Sequence, residues 1–349
     1  MTELIRRLDR SRFEIHVACF HKEGSWLPRV EACAPVTAFP IRGFARPATL
    51  ARAAAFARWC RGNRIAGVLT CDLYANSFAL PAAALGGVST RIGSRRELNP
   101  DKSAAQIALQ RHAYRFAHAI VANSRAASRQ LEREGVPPRR IRVIPNGIAA
   151  ERFSGRLATS RLATVVTVAN LRTEKAHEVL LAAAARLAPR YSDLKFQIIG
   201  DGPREAELRA LAADLGVTDR VEFLGHREDV PALLTRADIF VLPSRSEAFP
   251  NGAIEAMAAG LPVVASRVGG LIDLVDEGRT GLLVEPDNPA ALADAIASLI
   301  ESPARAAALG AAARNEVVHR YSFDRMVRSF ETLLLTHMEM PRGVSSRAA

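Results

Sequence analysis

Two glutamates eight positions apart, Glu247 and Glu255, are the residues of this chain best placed to do chemistry. Glu247 lies in a Pro/Ser-rich loop after a predicted strand over 239–242, and Glu255 lies on the first turn of a predicted Ala-rich helix. Gly252 between them lets the backbone approach a ligand closely, and the free N–H groups of a helix start favour an anion. Two carboxylates beside an anion site suit a ligand with hydroxyls and phosphates, such as a sugar nucleotide.

Two cations, Arg172 and Lys175, follow a predicted strand over 163–169 on a strand-to-helix loop. Cations at a helix start are unfavourable unless an anion is present, which favours a binding role over a solvated surface. Such cations can hold a diphosphate and stabilise the charge that develops on it as a leaving group. Glu247 alone could be an ordinary loop residue and Glu255 a helix-dipole residue, so the case for chemistry depends on the whole set.

Strands and helices alternate along the chain, which predicts the α/β class with parallel, doubly wound sheets. The predicted strands of the first half cover residues 13–19, 66–70, 89–93, 119–122 and 140–144. Those of the second half cover residues 163–169, 195–199, 221–224, 239–242 and 263–265. The stretch over 145–161 is rich in turn residues, so we expect a linker there between domains at 1–154 and 155–322. We expect residues 323–349 to form a helix and a tail, and the helix to pack back on the first domain.

Positive charge is concentrated in the first half of the chain. Residues 1–154 contain 25 Lys+Arg against 11 Asp+Glu, a net charge of +14, whereas residues 155–349 contain 22 against 25, a net charge of −3. A basic domain suits an anionic acceptor or an anionic membrane surface. Nucleic acid is not an expected partner, because no nucleic-acid motif is present. Only 4 of the 47 basic residues are lysines, so a GC-rich genome explains the arginine content equally well.

The composition is that of a globular protein with two domains of ordinary size. The chain has 349 residues, of which 49% are hydrophobic and 24% charged. No apolar run approaches the roughly 20 residues of a membrane span, and the amino terminus has no apolar signal core, so we expect a cytoplasmic location. The four cysteines show neither metal-ligand spacing nor a disulfide pattern, so we expect free thiols and no metal site; they are Cys19, Cys33, Cys60 and Cys71.

The segment around the two glutamates resembles the E-x7-E signature of retaining glycosyltransferases with the GT-B fold, specifically glycosyltransferase family 4 (glycosyl transferases group 1). The similarity runs through Pro243-Ser244, Phe249-Pro-Asn and Glu255-Ala-Met-Ala-Ala-Gly-Leu-Pro-Val-Val. Other stretches that match motifs of the family are Gly200-Asp-Gly-Pro203, Asn123-Ser124 and Val143-Ile-Pro-Asn146-Gly-Ile148. The resemblance covers nearly the whole chain. It implies two Rossmann-like domains whose parallel sheets face each other across a cleft.

The resemblance implies a donor site for a nucleotide sugar in the second domain. Glu247 would contact the transferred sugar near the reacting carbon, and Glu255 would accept hydrogen bonds from the ribose hydroxyls. Arg172 and Lys175 would bind the diphosphate and complete the predicted catalytic set with Glu247. Arg227 would contact the base or a phosphate. The other predicted donor-binding residues are Phe249, Pro250, Asn251, Gly252, Asn170 and Gly200.

In the first domain we predict acceptor contacts from Asp72, Arg95 and Arg96, although a solvated loop explains the two arginines equally well. The chain departs from the family pattern at four positions, where Asn170 replaces an arginine, Cys71 a histidine, Ala176 a glycine and Ala149 an aspartate.

The start of the chain departs from the family as well. Relatives usually begin with a strand, a Gly-rich loop and a helix, and Met1 falls inside what resembles that helix. We therefore expect the first strand and the Gly-rich loop to be absent from this chain. Three explanations stay open: the start of the sequence is misassigned, the chain is a fragment, or the protein is shortened.

The resemblance implies transfer of a hexosyl group from a UDP- or GDP-sugar to a hydroxyl of a glycan or lipid-linked acceptor, with no cofactor. The usual proposal for the family is a front-face substitution assisted by the leaving group. Bacterial lipopolysaccharide or exopolysaccharide assembly, at the inner face of the cytoplasmic membrane, is the implied setting. Two alternatives stay open: a degenerate GT-B protein that binds a sugar nucleotide without turnover, and a sugar-nucleotide epimerase of the same fold.

Overall fold

A computed structural model describes residues 1–44, 46–98, 102–153 and 162–338. The chain divides into two compact units, one made of residues 1–145 with the last described helix and the other of Asn146–Ser322. The predicted domain boundary between residues 154 and 155 lies outside the described residues, as does the predicted tail after residue 338. Across the described ranges, no helix combines the length and apolar character that crossing a bilayer requires.

The first unit alternates short strands with helices. Its strands are β1 (Val17–Cys19), β2 (Val36–Ala38), β3 (Gly67–Leu69), β4 (Thr90–Arg95), β5 (Ala119–Ala122) and β6 (Ile141–Val143). Its helices before the second unit are α1 (Thr2–Arg7), α2 (Leu27–Glu31), α3 (Pro47–Gly62), α4 (Leu73–Leu85), α5 (Ala104–Ala113) and α6 (Arg125–Arg133).

The second unit repeats the alternation. Its strands are β7 (Thr164–Val168), β8 (Lys195–Ile199), β9 (Val221–Gly225), β10 (Ile239–Leu242), β11 (Val263–Ser266) and β12 (Gly281–Val284). Its helices are α7 (His177–Leu187), α8 (Glu205–Asp214), α9 (Val230–Arg236), α10 (Asn251–Ala259), α11 (Gly269–Leu274), α12 (Pro289–Ile300) and α13 (Pro303–Arg320). A last helix, α14 (Phe323–Met338), belongs to the first unit.

All strands of the first unit pair in parallel. They form a four-stranded sheet of order β3-β4-β5-β6 and a separate pair, β1-β2. Strand β5 is buried at all of its positions, as expected for a parallel strand covered on both faces. Helix α14 covers part of this sheet, since Phe330, Leu333 and Leu334 share a core cluster with Leu4 of α1 and Ile92 of β4.

The sheet of the second unit has six parallel strands in the order β12-β11-β10-β7-β8-β9. The chain starts at β7, builds outward through β8 and β9, and then returns to β10 on the other side of β7. The loops after β7 and β10 therefore open side by side at the carboxyl edge of the sheet, where α/β proteins bind ligands. Parallel sheets with intervening helices in both units confirm the predicted α/β class.

The sequence predicted all but one strand of the second unit to within one residue of the observed bounds. Strand β12 was not predicted; it begins at Gly281, the last residue of the turn Gly278-Arg-Thr-Gly281. Helices α9 and α11 were not predicted. They have only seven and six residues, which is too short for the regular spacing of apolar residues that indicates a helix. In the first unit, β2 was not predicted, and the predicted strand over 13–19 is observed only at Val17–Cys19.

Two glycines let α10 and α13 pack closely. A Cβ atom on Gly310 of α13 would lie 2.1 Å from the carbonyl oxygen of Gly260 and 3.2 Å from the nitrogen of Pro262. Gly260 ends α10 in the left-handed conformation, with φ of 83°. This contact fixes the carboxyl end of the helix whose amino end carries the candidate site.

Replacing Gly310 by alanine should lower the free energy of unfolding of the second unit by about 1–3 kcal/mol. Overpacking of the helix contact should outweigh the roughly 1 kcal/mol that alanine gains in helix propensity. Urea denaturation of the full chain measures the effect. Exposed Ala311, changed to serine, is the control and should stay within about 0.5 kcal/mol of the wild type. Equal stability of the two variants would contradict the tight contact.

Candidate active site

Lys175 and Glu247 form an ion pair at the carboxyl edge of the six-stranded sheet. The Nζ atom of Lys175 lies 2.6 Å from Oε1 of Glu247, and the Ser244 hydroxyl donates to the same oxygen at 2.8 Å. Glu247 is only 6% exposed, so these two donors replace the water that its charge would otherwise need. Two residues predicted as catalytic are therefore in direct contact, although 72 positions separate them in the sequence.

The backbone of the Glu247 loop rests on the start of α11. Gly270 donates its N–H to the carbonyl of Glu247 at 2.8 Å. A Cβ atom on Gly269 would lie 2.0 Å from that carbonyl oxygen, and one on Gly270 would lie 2.1 Å from the carbonyl oxygen of Ala248. Because only glycine permits such an approach, the pair holds the loop that directs the Glu247 carboxylate.

Lys175 ends a 3-10 turn, Thr173–Lys175, that leads into α7. The next residue, Ala176, has φ of 50°, which lies in the left-handed region. This backbone conformation favours glycine, which explains why the family pattern has glycine at this position. Alanine adopts this backbone at a cost of about 1 kcal/mol. His177 follows and is buried; burial lowers its pKa to about 4, with the charge of Glu178 opposing the shift. His177 is therefore a neutral core residue at pH 7.

Arg172 and Asn170 lie exposed on the same loop. Neither side chain makes a hydrogen bond or ion pair with any residue in the described ranges. The backbone beneath them is fixed, because the N–H of Leu171 donates to the carbonyl of Asp201 at 2.8 Å. An arginine held in this way at a strand end is available to a bound anion.

Gly200 brings the turn after β8 against the loop after β7. Its φ is 136°, and a Cβ atom there would lie 2.1 Å from the carbonyl oxygen of Ala169. Gly202, with φ of 156°, approaches Leu171 in the same way, with a Cβ position 2.6 Å from that carbonyl oxygen. The structure thus explains both glycines by backbone packing, and the donor contact of Gly200 stays a prediction.

Helix α10 begins at Asn251 without a side-chain cap, since its N-cap residue is Pro250. Gly252 places this first turn against the end of β7, where a Cβ atom would lie 2.4 Å from the carbonyl oxygen of Val168. The side chain of Asn146 donates to that of Asn251 at 2.9 Å. The amino end of α10 thus lies beside the loop of Arg172 and Lys175, which puts helix N–H groups and cations at one edge.

Phe249 and Arg227, also predicted to bind the donor, already have neighbours within the second unit. Phe249 is 9% exposed, and its ring packs edge-on against Tyr321 with 5.6 Å between centroids. Arg227 is exposed and donates twice to Asp229, each time at 2.8 Å. Both donor-binding roles stay predictions.

Glu255 is a half-buried carboxylate on α10. Its side chain makes no hydrogen bond or ion pair with any part of the chain that the structure describes. Burial raises its pKa to about 7, and the positive charge of Arg152 offsets this only in part. A carboxylate that has lost water without gaining a donor is well prepared to accept hydrogen bonds from the hydroxyls of a ligand.

In the first unit, Arg95 is an interior residue, which corrects its predicted role in acceptor binding. It ends β4, is 1% exposed and pairs with Glu134 at 2.5 Å. Gln110 and the carbonyl of Glu97 each accept a further hydrogen bond from it at 2.7 Å. These acceptors engage the guanidinium inside the unit, so Arg95 stabilises the fold.

Asp72 and Arg96 lie at the carboxyl ends of β3 and β4. Asp72 caps α4 by accepting the N–H of Ala75 at 2.7 Å. Arg96 is half-buried, with Nη1 3.4 Å from the sulfur of Met1, and burial lowers its pKa. Their acceptor contacts stay predictions.

Three residues that contact the site had no role in the sequence-based prediction. Ser244 and Asn146 lie in motifs that match the family, so their positions were visible but their hydrogen bonds to Glu247 and Asn251 were not. Arg152 gave no signal, because nothing in its neighbourhood distinguishes it from the other arginines of the chain.

The chain belongs to glycosyltransferase family 4, because family models match both units. Residues 1–152 match the model described as Glycosyltransferase Family 4, and residues 151–316 match the model described as Glycosyl transferases group 1. The resemblance found in the sequence is thereby confirmed.

The chain is similar to several curated glycosyltransferases. The D-inositol 3-phosphate glycosyltransferase of Geodermatophilus obscurus is 36% identical over 252 residues, which cover 66% of this chain and 55% of that protein. The 2-deoxystreptamine glucosyltransferase of Streptomyces kanamyceticus is 37% identical over 139 residues, which cover 39% and 36%. The chain spans about half the length or less of these curated relatives.

Solved structures confirm the predicted GT-B fold. HepE of Anabaena, in complex with UDP and glucose, has a TM-score of 0.85 over 96% of this chain and 94% of its own, at 22% identity. The sucrose-phosphate synthase of Thermosynechococcus elongatus has a TM-score of 0.81 over 96% and 91%, at 21% identity.

Replacing Glu255 by glutamine should stabilise the unliganded protein at pH 8 but not near pH 4. Because the folded-state pKa is about 7 against an ordinary 4.5, folded Glu255 binds more protons than unfolded Glu255 between these values. Stability therefore falls as the pH rises through this window, and glutamine removes that loss. Thermal unfolding at both pH values measures the effect, with exposed Glu222→Gln as the control. A Tm difference from the wild type that is the same at both pH values would contradict the raised pKa.

Proposed function

We propose that the protein transfers a hexosyl group from a nucleoside diphosphate sugar to a hydroxyl group, with retention of the anomeric configuration. The observation that carries this proposal is the contact of Lys175 with Glu247, which puts a cation for the diphosphate 2.6 Å from a carboxylate for the sugar. Arg172 adds a second cation on the same loop. Glu255, which has no partner among the described residues, adds an acceptor for ribose hydroxyls.

In the proposed reaction, Lys175 and Arg172 stabilise the negative charge that develops as the bond between the anomeric carbon and a diphosphate oxygen breaks. Glu247 faces the sugar and stabilises the positive charge of the ring. The acceptor oxygen attacks the anomeric carbon on the face from which the diphosphate leaves, and its proton passes to a diphosphate oxygen. A carboxylate bound to an ammonium group and a hydroxyl is a weak nucleophile, which supports this route over a covalent intermediate on Glu247.

The known proteins suggest which substrates to test first. HepE of Anabaena has been solved with UDP and with UDP-glucose, which supports UDP-glucose as the first donor. The name of the D-inositol 3-phosphate glycosyltransferase indicates a phosphorylated polyol as acceptor. WaaB is named a lipopolysaccharide outer core galactosyltransferase. That name supports a glycan or lipid-linked acceptor in cell-surface polysaccharide assembly. A location at the cytoplasmic face of a membrane is supported by the net charge of +14 over residues 1–154, which suits an anionic surface.

The proposal is tested by incubating the full chain with UDP-glucose, UDP-N-acetylglucosamine or GDP-mannose and a panel of glycan and polyol phosphate acceptors. Release of the nucleoside diphosphate gives the rate, and the anomeric coupling constant of the product gives the stereochemistry. Calorimetric titration with UDP and GDP measures binding separately. Nucleotide binding without turnover would favour a binding protein without activity, and an epimerised donor would favour an epimerase.

The Glu247→Gln and Lys175→Ala variants should fail in different ways. Glu247→Gln should lower kcat by about 100-fold while UDP affinity stays nearly unchanged, because this carboxylate faces the sugar. Lys175→Ala should weaken UDP binding by about 10-fold or more, since a charge-assisted hydrogen bond to the diphosphate is lost. Lys195→Ala, on β8 and bonded to the carbonyl of Asp219, is the control. A fully active Glu247→Gln variant would rule out the assignment.

We also propose that the acceptor carries an anionic group, which binds in the first unit. A cavity of about 520 Å³ lies where the loops after β1 and β2 meet the start of α3. Four basic side chains line it and none of its described lining residues is acidic; the four are His21, Arg42, Arg46 and Arg52. Guanidinium groups around a helix start attract phosphate, which supports a phosphorylated acceptor for this cavity.

Replacing Arg46 by alanine should raise KM for a phosphorylated acceptor by about 10-fold, because one charge-assisted contact is lost. The kcat with a neutral analogue of the same acceptor should not change. Arg58→Ala, exposed on the same helix but outside the cavity, is the control. Equal KM values for the two variants would contradict the proposal. Loss of binding to phosphatidylglycerol vesicles without a change in KM would indicate a membrane contact instead.

A further inference from the structure

Glu178 was not predicted as a site residue, but its carboxylate connects the loops that carry the predicted site. Glu178 lies on the first turn of α7 and accepts from Arg204 at 2.8 Å with Oε2 and from Arg245 at 2.7 Å with Oε1. Arg204 follows the turn after β8, and Arg245 lies in the loop after β10. A single side chain therefore joins the ends of three strands.

Arg245 binds the turn that presents Lys175. Its backbone N–H donates to the carbonyl of Glu174 at 2.8 Å, and its Nη1 donates to the carbonyl of Thr173 at 3.0 Å. On its other side, Nε donates to Asp287 at 2.7 Å. Arg245 thus holds the two residues before Lys175 by their backbone, while lying two residues before Glu247 itself.

Arg204 connects the same carboxylate to the loop of Arg172. Its backbone N–H donates to the carbonyl of Leu171 at 3.2 Å, and its side chain also pairs with Glu207 at 2.5 Å. Because Glu178 holds Arg204 and Arg245 together, a shift of either arginine would move one of the loops that carry cations.

We propose that Glu178 and Arg245 are positioning residues, which hold the Lys175–Glu247 pair in the geometry that the transfer reaction needs. This inference rests on the proposed function of that pair. The ion pairs of Glu178 are partly buried, with side chains 23%, 16% and 36% exposed in Glu178, Arg204 and Arg245. Each pair joins the ends of different strands, which favours a role in positioning the loops. Arg245 forms hydrogen bonds to backbone carbonyls in addition to its ion pairs. Bonds to the backbone hold a loop in position, whereas an ion pair between two flexible side chains does not.

The charge state of Glu178 suits this role. Burial alone would raise its pKa, but hydrogen bonds from its own N–H group, Arg245 and Arg204 outweigh burial and hold the pKa below its usual value. Glu178 is therefore ionised at any pH at which the enzyme would work, and it holds both arginines throughout.

Replacing Arg245 by alanine should lower kcat by about 10- to 100-fold with little change in KM for the donor, because a misplacement of about 1 Å costs that much in rate. Arg245→Lys should recover only part of kcat, since an ammonium group lacks the fork that reaches Thr173, Glu178 and Asp287 together. Guanidinium chloride at low concentration should partly rescue Arg245→Ala but not Arg245→Lys. Arg209→Ala, which removes the ion pair with Glu205 on α8, is the control and should keep the wild-type kcat.

A second measurement reports on position without turnover. The chain has four lysines, Lys22, Lys102, Lys175 and Lys195, so selective ¹³Cε-lysine labelling gives four assignable signals. Arg245→Ala and Glu178→Gln should each shift the Lys175 signal and leave the Lys195 signal in place, whereas Arg209→Ala should leave both.

An unmoved Lys175 signal in both variants, or a wild-type kcat in Arg245→Ala, would overturn the inference. Loss of the folded spectrum in Arg245→Ala would also overturn it, because a role in overall stability would then explain the loss of rate. If the wild-type protein turns over no donor, the proposed function fails, while the Lys175 signal still decides whether Glu178 and Arg245 hold the pair.

Discussion

The ion pair between Lys175 and Glu247 is the interaction on which the carboxyl edge of the six-stranded sheet depends. A carboxylate that is 6% exposed is costly unless donors replace its lost water. Lys175 and Ser244 supply those donors, but only if the loops after β7 and β10 lie side by side. The strand order that returns the chain from β9 to β10, next to β7, meets this requirement.

Three glycines of the second unit help to hold the Glu247 loop in place. Gly252 lets the start of α10 approach β7, and Gly269 and Gly270 let α11 approach the Glu247 loop from the other side. At each of these positions a Cβ atom would lie 2.4 Å or less from a backbone carbonyl oxygen. The loop is therefore confined by backbone contacts on two sides, which leaves the direction of the Glu247 side chain little freedom before any ligand binds.

Much of this could be predicted from the sequence, for identifiable reasons. The α/β class follows from the alternation of apolar strands and helices, and the spacing of Glu247 and Glu255 resembles a family motif strongly enough to predict a donor site there. The resemblance put Lys175 and Arg172 in one predicted site with Glu247, but the atoms that meet could not be predicted, because loop geometry does not follow from local patterns. The Lys175–Glu247 contact and the contacts of Glu178 with Arg204 and Arg245 therefore became visible only in the structure.

The high arginine content of the chain explains the wrong prediction for Arg95. Arg95 and Arg96 are adjacent and were both predicted to bind the acceptor, yet successive residues in extended backbone point to opposite faces. Arg95 therefore meets Glu134 in the interior, while Arg96 lies at the strand end. In a chain where 43 of 47 basic residues are arginine, an arginine by itself carries little information, and only its acceptors distinguish a core residue from a site residue.

The two glutamates of the motif show opposite ways of preparing a carboxylate. Glu247 has its donors before a ligand arrives, so its position is fixed in advance, which suits a group that must meet a short-lived transition state. Glu255 has lost water and gained no donor from the described residues, and burial raises its pKa to about 7, so the unliganded protein is less stable for it. Ligand hydroxyls that supply the missing donors would recover that cost as binding free energy. Under the proposed function, the same spacing of residues yields one carboxylate organised for chemistry and another organised for affinity.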